Sequence, residues 1–171
     1  MLTGLPPYII ITFLVAVILT YQLFISSVKN KITTSVVILI WLSVSAALAF
    51  NEFFLDTSGM PPRFTLAVAP ALVFIAALLV TRQGQSYTDR LDLRTLTLLH
   101  VVRIPVELVL YWLSVHKVVP ELMTFTGRNF DIIAGVSAPV MYFLCFSGKQ
   151  VMRRNLLLAW NIICLGLLLN I

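Results

Sequence analysis

The side chains best placed for chemistry lie close together in the sequence. His100, Arg103, Glu107, Tyr111 and Ser114 are separated by 3, 4, 4 and 3 residues, a spacing that puts all five on one face of a helix. The residues around them are apolar, and a charge inside a membrane span costs at least ~2.5–3.5 kcal/mol even on the mildest scale. Arg103 and Glu107 stand four apart and can pair directly. Pro105 between them has no backbone N–H, which frees the Val101 carbonyl as a further acceptor for Arg103. Two readings stay open: a buried polar site for a ligand, ion or proton, or a self-neutralising pair that fixes helix packing.

A second group comes from two polar stretches. NEFFLDTSGMPPR (51–63) and PELMTFTGRNFD (120–131) supply Glu52, Asp56, Arg63, Glu121, Arg128, Asn129 and Asp131. Their Gly and Pro residues define turns. Ordered loops folded onto each other are therefore expected, with Glu52 or Asp56 paired to Arg128. Carboxylates beside arginines can do acid–base work or hold a polar headgroup. The alternative is helix capping and weak loop ion pairs; Asp131, at the start of a helix, offsets the helix dipole.

Metal and cofactor chemistry find little support. His100 and His116 are sixteen residues apart, about 24 Å along one helix and on nearly opposite faces, so they cannot share an ion. With no third histidine, neither a metal site nor a bis-histidine haem is expected, and no other cofactor is implied. Cys145 and Cys164 fall in apolar runs and read as packing residues. Phosphate-loop, nucleophile-elbow, zincin and dinucleotide-binding patterns do not occur.

The elements that must carry these side chains follow from composition. Of 171 residues, 60% are hydrophobic and 11% charged, with a mean hydropathy of +0.99. A soluble domain is nearer half apolar and a quarter charged, and a disordered chain lacks the apolar content. Six apolar runs, at about 8–28, 32–50, 64–80, 95–119, 130–147 and 155–171, predict an all-α polytopic transmembrane bundle of about six spans, a single domain over 1–171. The runs do not alternate as barrel strands do. The turn Lys29-Asn30-Lys31 demands an antiparallel hairpin. Thr88 or Asp89 is expected to cap the helix leading into the fourth span. Pro70, Pro105 and Pro139 point to kinked helices with room for a cavity. The first run reads as a retained span, since no basic region precedes it.

Charge sets the orientation. With both termini outside, Lys29, Lys31, Arg82, Arg90, Arg94, Lys149, Arg153 and Arg154 face the cytoplasm, against Arg63, Lys117 and Arg128 outside, a positive-inside bias. The net charge of +5 is too scattered for nucleic acid binding. At ~1.5 Å per residue, Arg103, Asn161 and Tyr142 all fall in the inner half of the bilayer. Arg103 is expected to meet Asn161 or Tyr142 within the bundle.

RIPVELVLYW (103–112), PELMTFTGRNFD (120–131) and IIAGVSAPV (132–140) resemble a group of uncharacterised bacterial multi-pass membrane proteins. These carry a similar R-x-P-x-E helix and a P-E-x-M-T-F-x-G-R-N-F-D loop. The resemblance covers about the C-terminal half and implies the bacterial cytoplasmic (inner) membrane, with no established activity. It also implies a chain that continues past residue 171. The favoured expectation is a bundle that binds or moves a small solute or lipid-like molecule through His100, Arg103, Glu107, Tyr111 and Asn161. An interfacial enzyme using the outer-loop acids, or a structural or sensor subunit without such a site, are the alternatives. The bilayer is the expected partner, and an oligomer is compatible with each reading.

Overall fold

A computed structural model of the chain describes residues 4–56, 59, 62–146 and 153–170. Lys149 of the charge count above, and the span ends at Ser147 and Ile171, lie outside the described residues. Within them the chain is helical, without strands: α1 Pro7–Ser27, α2 Lys31–Phe50, α3 Thr65–Val80, α4 Arg82–Thr88, α5 Leu93–Leu99, α6 Arg103–Val115, α7 Asp131–Phe146 and α8 Arg154–Leu169. Three helical stretches are long and apolar enough to cross a membrane: α1, α2, and α5–α6 taken together as Leu93–Val115. The pair α3–α4, bent by 91°, makes a fourth if counted as one span.

The residues form two compact units, Met1–Ser27 with Asp92–Ile171, and Val28–Leu91. In the first, α1 and α7 both lie against α5 and α6, and α8 packs on α7. The Tyr8 and Trp112 rings meet edge to face at 4.8 Å, and Asp92 N–H donates to the Ser27 carbonyl at 2.9 Å, so α1 runs antiparallel to α5–α6. Small residues bring α7 close: Ala134, Ala138, Met141 and Cys145 pack with Leu157, Trp160 and Cys164 of α8. Both cysteines are free and buried.

Capping departs from expectation at one point. Thr88 ends α4, with its hydroxyl on the Gln85 carbonyl. Asp92 instead caps α5, accepting from Arg94 N–H at 3.3 Å and from Thr95 N–H at 3.1 Å. It lies just outside the apolar stretch, and a hydrogen bond from the Thr95 hydroxyl, helped by these amides, holds its carboxyl below the usual carboxylate range.

In the second unit α2 and α3 bury no residue against protein. Their apolar side chains, such as Ile40, Val73 and Leu79, are exposed. After Val80 the chain turns at Thr81, whose hydroxyl caps α4 by accepting from Gly84 N–H at 3.1 Å. Gly84 sits so close to the end of α3 that a Cβ there would lie 2.4 Å from the Leu78 Cα.

Candidate functional site

The polar face of the fourth apolar run sits where that span changes its winding. Between α5 and α6, His100–Val102 form a 3-10 turn whose following N–H groups bond the His100 and Val101 carbonyls. The acceptor freed by Pro105 is therefore used by backbone and not by the Arg103 side chain. Tightening the helix just before proline avoids an orphaned carbonyl in an apolar setting. Beyond the turn, α6 is capped by His116, with Lys117 in the left-handed region. Lys117 N–H reaches the Ser114 carbonyl and Val118 N–H that of Leu113, a Schellman closure that reverses the chain.

The reversed segment folds back along α6. Tyr111 and Phe125 stack at 5.1 Å; Thr124 and Asn129 are buried, at 0% and 2% exposure. Part of its backbone bonds within the segment: Gly127 and Asn129 N–H both reach the Thr124 carbonyl, and Arg128 N–H that of Leu122. A Cβ on Gly127 would come within 2.5 Å of the Glu121 carbonyl oxygen. This packing starts α7 at the level of Arg103, roughly 15 Å along the span from Leu93 at 1.5 Å per residue. There Gly135 allows α7 to touch the 3-10 turn, since a Cβ would lie 2.9 Å from Ile104 Cγ1 and 3.2 Å from the His100 carbonyl oxygen.

The two constellations of the sequence thus merge in part. Arg103 forms its ion pair with Asp131, in the first turn of α7, and not with Glu107. Glu107, 3% exposed, accepts at Oε1 from Asn129 Nδ2 at 2.6 Å. Asn129 also donates to the Met123 carbonyl at 3.1 Å and accepts from Asp131 N–H at 3.1 Å. One amide side chain therefore ties the turn, the start of α7 and α6 together. Asp131 serves both the guanidinium and the α7 N-terminus, where a negative charge is favoured.

Apart from the ion-paired Arg103 Nη1 and Asp131 Oδ1, two buried atoms here find no hydrogen-bond partner among the described residues: Glu107 Oε2 and His100 Nδ1. The His100 ring lies 4.8 Å from that of Trp160, whose Nε1 donates to Ser137 Oγ at 2.9 Å. Arg103, Glu107 and Asp131 line an open cleft of about 160 Å³ together with Thr20 of α1, Leu99, Val102 and Val106. No cluster of three or more His, Cys, Asp or Glu suited to a metal occurs among the described residues. One guanidinium faces two carboxylates, so the site can take one further positive charge or strong hydrogen-bond donor at Glu107.

Other expected residues lie elsewhere. Asn161 donates to the Leu157 carbonyl of its own helix, and Tyr142 packs on Phe143 and Phe146; the partner expected from them is supplied by Asp131. Tyr111 flanks the network through its stack on Phe125. Glu121 and Arg128 are exposed, the latter with its carbonyl accepting from Asn170 at 2.9 Å. Glu52, Asp56 and Arg63 belong to the other unit, where Arg63 pairs with Asp56 at 2.9 Å and lies over the Phe53 ring. The expected pairing with Arg128 joins residues of different units. Sequence reasoning passed over Thr20, one of several polar side chains of α1, and Thr124 and the Ser137–Trp160 pair. No family model, curated protein or solved structure matches the chain.

Proposed function

We propose that the chain is a multi-pass protein of the bacterial cytoplasmic membrane that binds a small polar solute between α1, α6 and α7. It crosses six times with both termini outside, as the distribution of Lys and Arg favours. α7 and α8, of 16 residues each, measure about 24 Å, short of the ~30 Å hydrocarbon core. The 120–130 segment completes the fifth crossing, with Thr124 and Asn129 buried and the charged Glu121 and Arg128 exposed toward the outer membrane surface. A modest local thinning of the bilayer accommodates α8.

The observation that carries the solute site is Glu107: buried, bonded at one oxygen, unpartnered at the other, and beside a cleft. At ~30 Å³ per water, that cleft takes the volume of about five waters, which suits a small solute. Its recognition group is a cationic or strongly donating nitrogen, because Arg103 is already neutralised by Asp131. Thermal unfolding in detergent tests this with ethanolamine as the probe and glycerol as a neutral match in size. Ethanolamine should raise the midpoint of the native protein and not of Glu107→Gln, with glycerol inert in both. Equal response to ethanolamine in native and variant protein, or none in either, would leave the network a purely structural clamp.

A further inference from the structure

A second site, unrelated to the α6 network, lies within the Val28–Leu91 unit. We propose that this unit binds one anionic phospholipid, with the phosphate between Lys29 and Arg90 and an acyl chain in the groove between α2 and α3. The polar part is a concave pocket of about 210 Å³ at the start of α2, lined by Lys29, Asn30, Gln83, Ser86, Tyr87 and Arg90 together with Val28 and Leu91. It presents two cations, two amides and two hydroxyls, and no carboxylate. Neither Lys29 nor Arg90 has an ion-pair partner among the described residues; Arg90 Nη2 rests on Ser86 Oγ at 3.1 Å. The Asn30 side chain does not cap α2, so its amide is available to a ligand.

The pocket is built, not a chance gathering of surface charge. α4 leaves α3 at 91°, held by the close approach of Gly84 to Leu78. It returns to α2 through Tyr87 Oη and Thr34 Oγ1, 3.2 Å apart. α2 and α3 become two legs with α4 as the base, and between the legs opens an apolar groove of about 460 Å³, lined by Val37, Trp41, Pro70 and Phe74 among others. Thr34, which meets Tyr87 of the pocket, and Val37, in the groove, are three residues apart, or about 4.5 Å along α2. A headgroup at the base therefore carries its chain directly into the groove. That continuity of a cationic, acid-free pocket with an apolar slot is the shape of a phospholipid, and neither free phosphate nor a second protein copy uses both parts. Cations near a membrane surface favour anionic lipid.

The inference rests on the membrane reading above but not on the solute cleft. Trp41 supplies the readout. The full chain is reconstituted into vesicles containing brominated phosphatidylglycerol or brominated phosphatidylcholine, and the Trp41 contribution is taken as the difference from Trp41→Phe. Two surface cations predict a preference for the anionic lipid of about thirtyfold, from roughly fivefold per cation. The preference should fall to near one in Lys29→Gln/Arg90→Gln, with quenching by phosphatidylcholine unchanged. Equal quenching by both lipids in the native protein would overturn the site, as would a preference that survives the double variant. Binding of millimolar inorganic phosphate that needs Lys29 and Arg90, with no phosphatidylglycerol preference in vesicles, would also overturn it, showing an anion pocket that does not need the lipid. Absence of Trp41 quenching by any brominated lipid would mean that protein covers the groove. Failure of the chain to enter vesicles would break the membrane reading itself.

Discussion

Asp131→Asn separates the two accounts of how Arg103 is neutralised. The substitution keeps the shape of the side chain and removes its charge. In the native chain the Arg103 and Asp131 side chains are 23% and 9% exposed, so little water is available to replace the lost partner. Removing one member of a buried pair costs roughly 3–5 kcal/mol, and the residual exposure of Arg103 places this case near 3 kcal/mol. Loss of negative charge at the α7 N-terminus adds about 0.5 kcal/mol. Glu107→Gln should cost less than about 1 kcal/mol, because Asn129 can still donate to the amide oxygen and Arg103 keeps its carboxylate. Replacing the pair with apolar side chains, Arg103→Met with Asp131→Leu, should recover most of the loss, since no charge is then stranded. Reversible unfolding in mixed detergent micelles, followed by circular dichroism, measures all three. A Glu107→Gln cost equal to that of Asp131→Asn would show that Arg103 depends on Glu107 after all. A negligible Asp131→Asn cost would show that the pair contributes nothing to the fold.

Gly135→Ala should destabilise by about 1–3 kcal/mol, because its Cβ would press on Ile104 and the His100 carbonyl. Gly166→Ala in α8, with nothing within 4 Å of the added carbon, should be neutral or stabilising by up to about 1 kcal/mol; the same unfolding assay distinguishes the two signs. Asp92→Ala should loosen the start of α5 at a cost of about 1 kcal/mol. Because the Asp92 carboxyl titrates below its ordinary value of 3.8, its contribution is complete above that value and fades as pH falls through the lowered folded value. Hydrogen exchange at Arg94 and Thr95 should therefore quicken, relative to the intrinsic rate, only in that acid range. In intact cells, a membrane-impermeant thiol reagent should label Gly59→Cys and spare Gln85→Cys; the reverse would invert the orientation.

The ends of the apolar helices were legible because hydropathy is a local property. The expected runs 8–28 and 32–50 meet helices at Pro7–Ser27 and Lys31–Phe50, and the run at 130–147 meets one at Asp131–Phe146. The capping residue before α5 was misplaced for a related reason. Thr88, Asp89 and Asp92 are all competent caps, and what selects Asp92 is α4, a helix of only 7 residues with too little apolar content to announce itself. The face formed by His100, Arg103 and Glu107 was equally plain from spacing. Its partners were not.

Periodicity ranks partners by distance along the chain, so it favoured Glu107, one turn away, as the counter-ion of Arg103. The folded chain prefers Asp131, 28 positions later in the sequence, and only the return of residues 116–130 along α6 brings it there. That return depends on contacts no single helix contains: the Schellman closure at Lys117, the tight Gly127 turn, the stack of Tyr111 on Phe125, and the space left by Gly135. Residue type and order were enough for the helical class, the apolar stretches and the polar face. Which charges meet, which oxygen of Glu107 is left without a partner, and where a cleft opens beside it were decided by tertiary packing, because in a low-dielectric interior a charge settles by three-dimensional proximity to its counter-charge and not by separation along the chain.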